Sequence, residues 1–165
     1  MKAITLTQPW ATLIAIGAKR FETRSWRPRH LGPIAIHAAK GFPPEAQARC
    51  LDGTFYSPLF GTTVSADVAA GIDPRSRIAS LPLGAVIATA RLEWSESTDS
   101  AIFRSGIADF GTSHEWELGD YSPCRWAWYL SGARPLPAPV PATGALWLWE
   151  WTPPADLASG ETAAR

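Results

Sequence analysis

Residues 7–26 read TQPWATLIAIGAKRFETRSW, and the fold turns on this stretch. Thr7 or Gln8 can precede a helix, and Pro9 suits a first turn, where no intrahelical N–H is required. Trp10, Leu13, Ile14 and Gly17 keep helical spacing, and Gly17 is a natural left-handed stop. The pattern then changes to period two. Arg20, Glu22 and Arg24 fall on one face of RFETR (20–24), which reads as a short strand. A short apolar helix thus hands over, within a few residues, to a charged strand.

Working outward, MKAITLT (1–7) alternates as a first strand, and PIAIHAA (33–39) is apolar enough to be central. GAVIATARLEWSES (84–97), RWAWYLSGARPL (125–136) and ALWLWEW (145–151) read as further strands, with PLPAPVPATG (135–144) as a proline-rich connector. FPPEAQARC (42–50) suits a helix opened by prolines. Residues 51–80 are rich in Gly, Ser, Thr, Asp and Pro and read as a long excursion or lid. Residues 98–123 read as a short helix followed by a loop. These elements predict an α+β fold: a small, closed β-barrel of five to six strands with short helices packed at its side. Residues 1–151 form one domain with an excursion at about 42–80, and 152–165 are expected to be a disordered tail.

The chain of 165 residues carries 15 Lys+Arg and 15 Asp+Glu, a balance that argues against bulk attraction to a long polyanion. Cys50 and Cys124 share no metal-type spacing, and His30, His37 and His114 show none either. Two isolated thiols, with neither a membrane span nor a signal-peptide core visible, point to a cytoplasmic protein, and the histidine spacing gives no reason to expect a metal or other cofactor. Nine tryptophans stand out. Trp126 and Trp128 share one strand face, and Trp147, Trp149 and Trp151 another. They suit core packing, or else a platform on which bases stack.

The ordered combination of Gln8-Pro9-Trp10-Ala11, then Gly17, Lys19, Glu22 and Arg24, then Ile36-His37-Ala38, resembles the ASCH domain family of the PUA-like superfamily. GDYSPCRWAWYL (119–130) and the segment to Trp149 are similar to small stand-alone bacterial and phage members. The resemblance implies a PUA-like β-barrel with a cleft beside the first helix. It also implies binding of RNA, or amidohydrolase activity on acylated cytidine, or ribonuclease activity. The amidohydrolase pattern uses a lysine, a threonine three residues later and a distant acidic residue. Lys19 matches the lysine. Glu22 stands where the threonine would be, and Thr23, one residue on, alternates to the other face. Glu115, Glu117 and Asp120 are candidates for the acidic position. Cys124 occupies a place where members often carry glycine.

Hydrolysing an amide on a base needs a nucleophile, help for the oxyanion and a proton for the leaving amine. Glu22 can serve as general base on water, and Lys19 can stabilise the oxyanion or protonate the leaving group. Trp10, Arg24, Trp26, His37, Tyr121 and Arg125 are candidates for binding the nucleoside or single-stranded RNA. The expected activity is metal-free removal of an acyl group from the exocyclic amine of cytidine or a related nucleobase amide. The alternatives are a non-catalytic RNA-binding module and a ribonuclease. One geometric demand follows. Residues three apart on a regular strand point to opposite faces, so Lys19 must lie in the turn after Gly17 to meet Glu22. Lys19→Ala and Glu22→Ala are each expected to abolish turnover and spare the fold.

Overall fold

The alternation over the first residues becomes β1 (Lys2–Leu6), and the helix after Pro9 becomes α1 (Trp10–Ala15). The computed structural model describes residues 1–112 and 114–158. The Gln8 side chain caps α1, its Oε1 accepting from Thr12 N at 3.1 Å while its Nε2 donates to Pro82 O. Gly17 ends the helical stretch at φ +75, and Lys19 N–H donates back to Leu13 O at 3.1 Å. β2 (Phe21–Arg24) begins only after that turn.

Four more strands follow: β3 (Gly32–Ala38), β4 (Ala85–Ser97), β5 (Trp126–Pro141) and β6 (Leu148–Glu150). All six form one sheet in the order β2-β5-β4-β3-β1-β6. β1 and β3 run parallel, Ile4 opposite Ile36, and the remaining pairings are antiparallel. Among the described residues β2 and β6 do not pair, so the predicted closed barrel is a curled sheet with two edges. α1 lies against β3, β4 and β5. Ile14 joins Ile4, Ile34, Ile36, Leu92 and Trp128 in the main core, all at most 2 % exposed.

Residues 51–80 are where structure and sequence reading diverge most. With α2 (Pro44–Arg49), they form three capped helices: α3 (Gly53–Phe60), α4 (Val64–Ala69) and α5 (Pro74–Ala79). Asp52, Thr63 and Asp73 accept from Thr54 N, Ala66 N and Arg75 N at the three N-termini. Gly61 and Gly71 take positive φ at the ends of α3 and α4. The loop-like composition was helix punctuation. Tyr56 and Arg77 both donate to the buried Asp67 carboxylate, tying these helices together.

The expected connector 135–144 also differs. β5 runs through its prolines to Pro141. β2 covers β5 only at residues 126–129, so the proline half has one neighbour, β4, and needs no second row of N–H donors. Of ALWLWEW only Leu148–Glu150 is strand, with Trp151 exchanging backbone hydrogen bonds with Met1; Trp147 at φ +63 breaks the alternation before it. Trp151 is buried and Trp147 exposed, so the three tryptophans do not share one environment. Cys124 has φ +63 as well, a backbone conformation that glycine adopts more readily than cysteine. α6 (Ala101–Phe110) fills the region after β4, and α7 (Ala155–Ala158) stands inside the expected tail, of which 159–165 lie outside the described residues. Among the described residues no helix is long and apolar enough to cross a membrane.

Candidate functional site

A polar cleft of about 240 Å³ opens where the α1–β2 turn meets β1 and the 119–125 loop. Lys19, Glu22 and Arg24 line it together with Trp10, Asp120 and Arg125. The turn after Gly17 is what brings Lys19 and Glu22 to one hollow. Lys19 precedes the pleat, and Glu22 and Arg24 then share the strand face toward the cleft. Phe21, on the other face, packs with Phe103, Ile107 and Tyr121 in a second core.

Lys19 is 2 % exposed and Glu115 1 %, and their side chains meet at 3.0 Å. Tyr121 OH lies 3.0 Å from Lys19 Nζ and donates to Glu115 Oε1 at 2.7 Å. Glu115 also accepts from Arg20 N at 2.8 Å and Phe21 N at 3.1 Å. The carboxylate therefore fixes both the ammonium and the backbone that carries it. An ammonium has three N–H donors, and two are occupied here by Glu115 and Tyr121. The third has no hydrogen-bond partner among the described residues, and Lys19 lines the cleft. Burial, then the charge and hydrogen bond of Glu115, push the Tyr121 phenol far above its ordinary range, so it stays a neutral donor.

Glu22 has a different environment. Burial is the largest influence on its carboxyl and raises the pKa above 4.5, overcoming the opposing charges of Arg24, Lys19 and Arg125. Its Oε1 lies 2.9 Å from Arg24 Nε. Arg24 Nη2 donates to Thr5 O at 2.9 Å, holding the guanidinium across the floor between β2 and β1. At the mouth, Arg125 pairs with Asp120 at 3.2 Å and donates to Thr23 O at 3.0 Å. Hydrogen bonding from Ser122 holds the Asp120 carboxyl low. Trp10 is anchored by Nε1 donating to Leu118 O at 2.8 Å.

The remaining predicted residues sort differently. Of the three acidic candidates, Glu115 touches Lys19, Asp120 stands at the mouth, and Glu117 pairs with His114 on the surface at 3.4 Å. Tyr121 sits beneath the cleft. Trp26 and His37 line a second, larger trough of about 1030 Å³, which also has Arg24 in its wall. His37 Nε2 lies 3.1 Å from Ala142 O, and burial lowers the imidazole pKa, keeping it neutral. The sequence reading missed Gly119. A Cβ there would stand 2.5 Å from the Tyr121 ring and 2.7 Å from Lys19 Nζ. Both neighbours are buried and bonded, so Gly119→Ala is expected to cost about 1–3 kcal/mol in urea unfolding and to displace the ammonium. Wild-type stability in that variant would show the space is not needed.

The ASCH domain family model matches residues 4–104. No curated protein matches the chain. Among solved structures, ASCH from Zymomonas mobilis is similar at 16% identity and a TM-score of 0.50, over 98% of this chain and 94% of that one. Two single-residue mutants of the Zymomonas mobilis protein align at 17% and 16% identity with TM-scores of 0.49, each over 98% of this chain and over 96% and 94% of theirs. At such identity the first likeness bears on the fold: the same α+β, PUA-like arrangement of a curled sheet and short helices. The family match spans more than half of the 165 residues and takes in the helix, the turn with Lys19, Glu22 and Arg24, and the strand with His37, and on that ground the chain belongs to the ASCH domain family.

Proposed function

We propose that the cleft hydrolyses an acyl group from the exocyclic amine of cytidine or a related nucleobase amide. Glu22 takes a proton from a water, and that water's oxygen attacks the acyl carbonyl carbon. The free N–H of Lys19 and the Arg24 guanidinium face the oxygen that becomes negative. Collapse of the tetrahedral intermediate breaks the C–N bond, and protonated Glu22 returns its proton to the leaving nitrogen. The products are the free amine and a carboxylic acid, which ionises in water.

One observation carries this reading: a buried carboxyl of raised proton affinity shares a small polar hollow with an ammonium locked in place from behind. A base ionised at ordinary carboxylate pH is weak, and desolvation makes it stronger. The purified protein is expected to release acid and cytidine from N4-acylcytidine, followed by chromatography of the nucleoside. No turnover on any acylated cytosine compound, together with salt-sensitive retardation of single-stranded RNA in a gel, would point instead to an RNA-binding module. Cleavage of that RNA would point to a nuclease.

A further inference from the structure

The polar cleft and the trough differ in chemistry and meet at one side chain. The cleft is lined by Lys19, Glu22, Arg24, Asp120 and Arg125. The trough, about 1030 Å³, has walls mostly of apolar and small residues, among them Leu83, Pro141, Leu146 and Trp147; its ionisable groups are Arg24, His37 and Lys40, with no carboxylate. Arg24 belongs to both. Its Nη2 is bonded to Thr5 O and its Nε stands beside Glu22. A substrate spanning both spaces must therefore cross the guanidinium next to the proposed base.

The trough's apolar wall is unusually open. Leu146 is 85 % exposed, Trp147 62 % and Leu83 41 %. Clustered apolar exposure of this kind marks a surface that something covers. Trp147 holds φ +63, a backbone conformation that a bulky side chain rarely adopts, with its ring 4.7 Å from Trp26. That conformation stands Trp147 at the trough wall. The lining holds no carboxylate and its lysine, Lys40, is exposed, so an apolar group can enter without stripping an anion or that ammonium of water.

We infer that the trough is the acyl pocket and that the preferred substrate carries a long or bulky apolar acyl group on the base amine, with the base in the polar cleft and the amide at Arg24. This rests on the hydrolase reading. It adds a substrate class that an acetyl group, with no chain to fill a trough of about 1030 Å³, does not represent.

The test is a series of N4-acylcytidines from acetyl to octanoyl. Each added methylene that is buried is worth about 0.8 kcal/mol, so kcat/KM is expected to rise about fourfold per methylene over the first few. Leu146→Asp changes an exposed residue, so folding is not at risk, and it is expected to flatten that rise. Calorimetric affinities of the same series for the protein give a readout independent of turnover. Chain-length-dependent affinity without turnover overturns the hydrolase reading and leaves the trough an acyl-binding site. Equal affinity for acetyl and octanoyl compounds overturns the inference whatever the turnover. Affinity that instead rises with the length of an unacylated RNA oligonucleotide, and is lost in Trp147→Ala, also overturns it, because a strand then fills the trough.

Discussion

Glu115→Ala is expected to lower the stability of the whole domain by about 3–5 kcal/mol, the cost of leaving one member of a buried ion pair uncompensated. The size follows from what Glu115 holds. It meets Lys19 at 3.0 Å, takes the Tyr121 proton donor at 2.7 Å and accepts two backbone N–H groups at the start of β2. The alanine would orphan all of these where Lys19 is only 2 % exposed. The same logic corrects the sequence-based expectation that Lys19→Ala spares the fold: at 2 % exposure, removing the ammonium strands the Glu115 carboxylate. Lys19→Met combined with Glu115→Gln is expected to recover part of the loss. Arg20 N and Phe21 N donate to different oxygens of Glu115, so the amide oxygen keeps one of these two donors, and no bare charge remains. Urea unfolding of the wild type, both single variants and the pair measures this. A Glu115→Ala midpoint equal to wild type would mean the network contributes nothing to folding.

The sequence carried the local half of this site. Gly17 as a stop and period-two charge beyond it placed Lys19 in a turn and Glu22 on a strand, because both depend on neighbours a few residues away. Glu115 was one of three acidic candidates, 96 residues from Lys19. Nothing local distinguishes it from Glu117, since only the distant donors Arg20 N and Phe21 N mark one of the two as turned inward. Composition misled at 51–80 because Asp, Thr and Gly serve helix ends as well as loops. It misled at 135–141 because proline is tolerated on a strand that has lost one neighbour. The trough was invisible for a related reason. Its wall from Pro141 to Trp147 is placed by contacts with distant residues: Gly144 packs on His37 and Thr5, where a Cβ would stand within 2.7 Å, and Trp147 packs on Trp26.

Glu22→Gln is expected to reduce hydrolysis of an N4-acylcytidine by roughly 10²–10⁴-fold, the range for loss of a general base, without loss of folding. The glutamine fills the same volume and keeps an acceptor toward Arg24. The pH dependence separates this from a merely structural effect. A base works ionised, and burial holds the Glu22 carboxyl above 4.5, so the acid limb of wild-type kcat/KM should lie to the alkaline side of that value. The stability effect has the opposite sign. In the folded protein Glu22 keeps its proton to higher pH than in the unfolded chain. Between those two pKa values the folded state binds the extra proton, and stability falls as pH rises. Above the folded value the full cost of the buried charge is present. Glu22→Gln removes that cost, so the variant should be at least as stable as wild type near neutral pH and lack the wild-type decline above 4.5. Loss of activity with gain of stability is the signature of a group retained for chemistry. A Glu22→Gln protein that keeps its turnover, or one that loses both turnover and stability, would remove Glu22 from the role of base.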